Sequence, residues 1–162
     1  QCAKLLSHPK ISKSFCISLS KKIKKKFKKI DLILSPAIGG IIVGYEIGRL
    51  LKKETIFCER VNGKFKLRRG FNIKEKSNVL IVEDVITTGK SSLECLSLIK
   101  KSKAKLIGYA CLINRSNKKN LKIKNKKIVS QIKLTVPVYK RNKLPLILKK
   151  IPITKPGSRY LK

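Results

Sequence analysis

Glu83 and Asp84 stand side by side at the end of the apolar run Val79-Leu80-Ile81-Val82, and Thr87-Thr88-Gly89-Lys90-Ser91 follows closely. A buried strand has no use for adjacent negative charges, so they serve something beyond it. The segment after them suits an anion. Successive backbone N–H groups at a helix start form a concave site, Gly89 permits close approach, and the Thr and Ser hydroxyls add donors. Carboxylates beside a phosphate repel it unless they accept hydrogen bonds from neutral hydroxyls on the same ligand. A sugar phosphate carries both parts: a phosphate for the turn and a vicinal diol for the acids. The Walker spacing GxxxxGK[ST] is missing, which excludes that class of phosphate loop.

A second turn of small residues, Ser35-Pro36-Ala37-Ile38-Gly39-Gly40, also precedes a predicted helix and offers further backbone donors. Arg115, in Asn114-Arg115-Ser116, presents a guanidinium fork of the kind that pairs with a planar carboxylate. Arg60, Lys64, Arg68 and Arg69 flank an Asn62-Gly63 pair and could supply cations. His8, the single histidine, lies in Ser7-His8-Pro9 and belongs to no visible acid–base arrangement. The five cysteines (Cys2, Cys16, Cys58, Cys95, Cys111) form no CxxC pair, which argues against a zinc site and a disulfide framework and for reduced thiols in a cytoplasm.

The elements that must hold these residues follow from periodicity. Phe15, Leu19, Ile23 and Phe27 recur every four residues and predict a helix over 12–28, its other face filled by lysines. Strands are expected at 31–35, 55–59, 79–83 and 105–113, and helices at 41–52 and 91–102. Asn62-Gly63 is a hairpin signal, with a return strand through Leu67. Residues 116–127 read as a polar loop, 128–136 as an edge strand, and the Pro-punctuated tail as irregular. Strands alternating with helices imply one α/β domain spanning 1–162, a mostly parallel central sheet flanked by helices, with a β-hairpin near 55–68.

Charge is the loudest feature. The chain carries 41 basic and 8 acidic residues for a net +33. Lys outnumbers Arg 34 to 7, the excess is spread along the chain, and Ile is also abundant. Lys, Ile and Asn share A/T-rich codons, so compositional drift accounts for the pattern, with attraction of anionic ligands as a by-product. Nucleic-acid binding is not expected. No apolar run is long enough to span a bilayer. The chain begins at Gln1 and contains no Met, so an N-terminal segment of the full translation product is expected to be missing.

Taken together, VEDVITTGKSS resembles the phosphoribosyl-pyrophosphate signature of the type I phosphoribosyltransferases, in the wording nearest to the orotate enzymes. SPAIGGIIVGYEIGR, FCERVNGKFKLRRGF, LINRS and the C-terminal IPITKPGSR extend the resemblance over residues 1–159. It implies that Glu83, Asp84, Val85, Ile86, Thr87, Thr88, Gly89, Lys90 and Ser91 bind phosphoribosyl pyrophosphate, with Glu83 and Asp84 catalytic. It further implies that Ser35, Pro36, Ala37, Ile38 and Gly39 cradle the pyrophosphate, often through a strained peptide in such enzymes. Thr87 and Arg115 would contact orotate, and Arg60 and Lys64 could assist the leaving group. Mg²⁺ would arrive on the substrate with no direct protein ligand. The working unit would be a cytoplasmic homodimer. A different base as acceptor, or a non-catalytic regulator that senses the ribose donor and binds nucleic acid, remain the alternatives.

Overall fold

In the computed structural model, residues 1–117, 121–123, 128–137, 139 and 141–152 are described. Two short-range signals open the chain. A helix α1 (Cys2–Leu6) is followed by His8 in extended backbone and Pro9 at the first position of α2 (Pro9–Lys26). Proline suits that position because its missing N–H would have had no helical partner. The helix therefore starts earlier and ends slightly earlier than the four-residue spacing alone predicts.

Then come β1 (Leu32–Pro36), α3 (Gly39–Leu51), β2 (Glu54–Val61), β3 (Lys64–Lys66), β4 (Asn78–Ile86), α4 (Lys90–Lys101), β5 (Lys105–Asn114) and β6 (Ile128–Lys133). A 3₁₀ turn (Arg141–Lys143) and α5 (Leu146–Lys149) close the described chain. The six strands form one sheet in the order β3-β2-β1-β4-β5-β6. All pairs are parallel except β2–β3, where Asn62 and Gly63, both at positive φ, make the expected hairpin turn. The edge strand β6 is shorter than its predicted span of 128–136. The predicted polar loop and the motif 151–159 lie partly outside the described residues.

Burial on both faces explains the near-continuous apolar strands, as expected for a covered parallel sheet. On one face Ile33, Leu80, Val82, Ala110 and Leu112 pack against Leu19 and Ile23 of α2 and Val43 and Ile47 of α3. On the other, Leu34, Ile81, Tyr109 and Cys111 pack against Cys95 and Ile99 of α4, with Phe65 from the hairpin. The chain thus leaves β1 over one face and β4 over the opposite face, although β1 and β4 are neighbours. Their C-terminal ends diverge into a crevice, the place where open α/β sheets bind ligands.

Several tight bends place basic residues in the left-handed backbone region. Lys52 ends α3 at φ 54°, and Lys76 and Lys103 adopt φ 62° and 51° in connecting turns.

Candidate active site

Strand β4 does not stop at the acids. Its ladder with β5 continues through Glu83↔Cys111, Val85↔Ile113 and Ile86↔Asn114. The expected boundary at residue 83 is therefore corrected to Ile86, and the reason is alternation. Residues 79 and 81 face the α4 side and 80 and 82 the α3 side, so the two consecutive acids point to opposite faces. Glu83 is buried and accepts a hydrogen bond at Oε1 from Ser92 Oγ on α4. Asp84 is half-buried and looks toward the start of α3. A Cβ built on Gly39 would lie 2.5 Å from Asp84 Oδ2 and 2.7 Å from its Cγ. A larger residue at that spot would have to displace the carboxylate.

Both turns deliver a helix N-terminus to the crevice. In α3 the cap is Ile38 and in α4 it is Gly89 at φ 70°; neither helix has a side-chain cap or an acidic residue in its first turn. The positive ends of two helices whose N-cap residues offer no side-chain cap create a field that suits a polyanion. Thr88 Oγ1 accepts from the Lys90 N–H at 3.3 Å, which orders the second turn. The Ala37–Ile38 peptide is cis, and Ala37 N donates to Cys58 O at 2.8 Å.

Other sequence-derived candidates fall into place unequally. Arg115 directly follows β5; its N–H donates to Ile86 O at 2.8 Å, and its exposed side chain stands one strand over from Thr87. Asn114 Oδ1 accepts from the Ser116 N–H at 2.9 Å and so turns the chain at that point. Ser35, by contrast, is fully buried, with its Oγ packed against Gly44 of α3. Pro36 is buried as well, which leaves Ala37, Ile38 and Gly39 as the part of that turn open to the crevice. Because Pro36 pairs with Cys58, residues 59–66 project past the end of β1 beside the crevice.

In that hairpin Arg60 is already engaged. It pairs with Glu94 of α4 at 2.7 Å, donates to Gly63 O at 2.6 Å and lies 4.2 Å over the Phe65 ring. Arg68 and Arg69 approach Glu59 at 3.9 and 3.4 Å. Lys64 is exposed on β3.

The cysteines around the acids are buried. Burial, reinforced by the negative charge of Asp84, pushes the Cys2 thiol up to about 11, and burial raises Cys111 to about 12. Cys95 is shifted upward by its contact with Cys58, whose Sγ lies 3.3 Å away, and by burial. Burial, with Cys95 and Glu83 nearby, holds Tyr109 at about 12. Thiols so shifted stay protonated at neutral pH.

A model of the phosphoribosyl transferase domain matches residues 3–142. The orotate phosphoribosyltransferase of Thermoanaerobacter sp. (strain X514) is 45% identical over 162 residues, covering 98% of this chain and 82% of that protein. The one of Parvibaculum lavamentivorans is 43% identical, covering 99% and 82%. The chain belongs to the orotate phosphoribosyltransferase family. Among solved structures, an adenine phosphoribosyltransferase from Thermoanaerobacter pseudethanolicus shares the fold at TM-score 0.69 and 18% identity, covering 80% of this chain and 84% of that one. The orotate phosphoribosyltransferase from Aeropyrum pernix does so at 0.67 and 16%, covering 83% and 77%.

Within this family frame, the contacts of three residues on the signature are not legible in the sequence: Ser92, Leu121 and Ile123. Ser92 looked like one more helix serine, and only the strand's alternation could have pointed to it. Leu121 and Ile123 cover Gly89, while Lys122 N donates to Thr88 O at 2.8 Å. Two apolar residues in a Lys/Asn-rich stretch carry no period that would reveal this packing.

Proposed function

We propose that this chain transfers the 5-phosphoribosyl group of phosphoribosyl pyrophosphate to orotate, giving orotidine 5′-monophosphate and pyrophosphate in pyrimidine biosynthesis. One observation carries the reading. An acid pair is split across a crevice between two helix N-termini whose N-cap residues make no side-chain cap, in a chain 45% identical to an orotate phosphoribosyltransferase.

The turn Thr87–Ser91 holds the 5′-phosphate with backbone N–H groups and hydroxyls. Asp84 and Glu83 accept from the pentose hydroxyls and place negative charge where the ribose ring becomes cationic as the C1–O bond to pyrophosphate breaks and the C1–N bond to the base forms. Ala37, Ile38, Gly39 and the start of α3 face the departing diphosphate. Arg115 pairs with the orotate carboxylate, and Thr87 contacts the base. No protein nucleophile is required; the chain's contribution is placement and field.

Among the described residues no cluster of three or more His, Cys, Asp or Glu could hold a metal. Asp84 offers a half-exposed carboxylate at the crevice. Its carboxylate could join the shell of a Mg²⁺ ion brought in on the substrate, and such an ion would supply charge neutralisation for the departing diphosphate.

A homodimer is supported by Ile42 and Tyr45, an apolar pair on α3 that is 54% and 67% exposed. Crossing a membrane by helix is not supported, since among the described residues no helix is long and apolar enough. Five free cysteines support a reducing cytoplasm.

The test is orotate consumption by the purified protein. Turnover requires both the ribose donor and Mg²⁺, and adenine, hypoxanthine or uracil does not replace orotate. Turnover of one of those bases in preference to orotate overturns the acceptor assignment.

A further inference from the structure

We propose that Ser92 is a positioning residue for ribose recognition, acting through Glu83. The inference rests on the acid pair's assignment to the pentose hydroxyls and goes beyond it, because it makes the two acids unequal. Asp84 is placed by empty space at Gly39. Glu83 is placed by a donor.

The hydroxyl's behaviour singles Ser92 out. Ser14, Ser20, Ser97 and Ser102 all turn their hydroxyls back onto backbone carbonyls three or four residues earlier. That local bonding is the default for a serine in a helix. Ser92 instead reaches another element and donates to a strand carboxylate. Both partners are enclosed, at 0% and 6% exposure. A hydrogen bond to a carboxylate in dry surroundings is stronger and more directional than one at a surface. The surroundings are dry: Cys95, on the same face of α4 one turn later, touches Cys58 at 3.3 Å over the fully buried Tyr109.

Position adds the functional consequence. Ser92 sits in the first turn of the helix whose N-terminus is the phosphate turn. Its bond therefore ties the element that grips the phosphate to the acid that reads the sugar. With Oε1 fixed, the plane of the Glu83 carboxylate is set before any ligand arrives, as preorganisation of a binding group requires.

The experiment uses the whole chain and calorimetric titration with inorganic phosphate, ribose 5-phosphate and its 2-deoxy and 3-deoxy analogues. The wild type should prefer ribose 5-phosphate over at least one deoxy analogue by ~10-fold or more, the usual effect of a hydrogen bond to a charged group. Ser92→Ala should lose most of that preference while binding inorganic phosphate as before, and Ser92→Thr should restore it. Ser92→Cys, a weaker donor of similar size, should fall between, and it carries the test should the alanine variant fail to fold.

A variant that keeps the full preference overturns the proposal. So does one in which phosphate and ribose 5-phosphate weaken by the same factor, because a merely structural serine would act that way. If the wild type itself ignores both hydroxyls, the acid-pair assignment falls, and the role of Ser92 falls with it.

Discussion

The two turns that meet at the crevice are built by opposite means. Between β1 and α3 the site exists because something is missing: Gly39 has no side chain, so the backbone comes up against Asp84. Between β4 and α4 it exists because something is supplied: Ser92 fixes Glu83 from inside, and Leu121 and Ile123 cover Gly89 from outside. One turn fails when atoms are added and the other when they are removed. Both serve the same field, because each ends in a helix N-terminus without a side-chain cap.

The comparison is broken most severely at the acid that faces the open turn. Asp84→Asn keeps the shape and removes the charge, so kcat should fall by about 10²–10³-fold, the scale of losing one electrostatic stabiliser. The melting temperature should change little, and comparable turnover would count heavily against the proposed chemistry. Gly39→Ala attacks the same carboxylate by displacement. Its Cβ would crowd Asp84 Oδ2, and a shift of that order should lower kcat/KM for the ribose donor by roughly 10²-fold. Steady-state kinetics with varied donor reads this directly.

Arg115→Ala sharpens the contrast by leaving both turns intact. The orotate KM should rise about 10-fold for the loss of a charge-assisted pair. The donor KM should move far less, and equal effects on both substrates would remove Arg115 from the base site. Arg60→Ala should have the smallest effect. Its pair with Glu94 is a partly exposed one, so denaturant unfolding should shift by less than ~1 kcal/mol. The kcat should stay near wild type, and a large drop would make Arg60 a cation of the reaction after all.

Much of this was written in residue order. The hairpin announces itself in Asn62-Gly63, and the apolar runs of β1, β4 and β5 mark a sheet covered on both sides. The boundary at Glu83 is not legible from charge, because a strand entering a crevice can carry one acid to each side. Helix α2 was cut short at its start because its apolar stripe begins at Phe15, after Pro9 had already set the first turn. The burial of the Ser35 hydroxyl was not legible, since Gly44, which receives it, lies in the following helix. Nor was the cover over Gly89. Such contacts depend on which segments the fold stacks together, and neither periodicity nor motif spacing encodes that.

The lysines at bends carry a consequence of their own. Lys52, Lys76 and Lys103 hold a backbone shape that side chains resist, each at a cost of order 1 kcal/mol. None of the three lies in the turns that hold the acids, so the toll falls on the scaffold's resilience to heat, and glycine at these corners would add robustness without touching the chemistry.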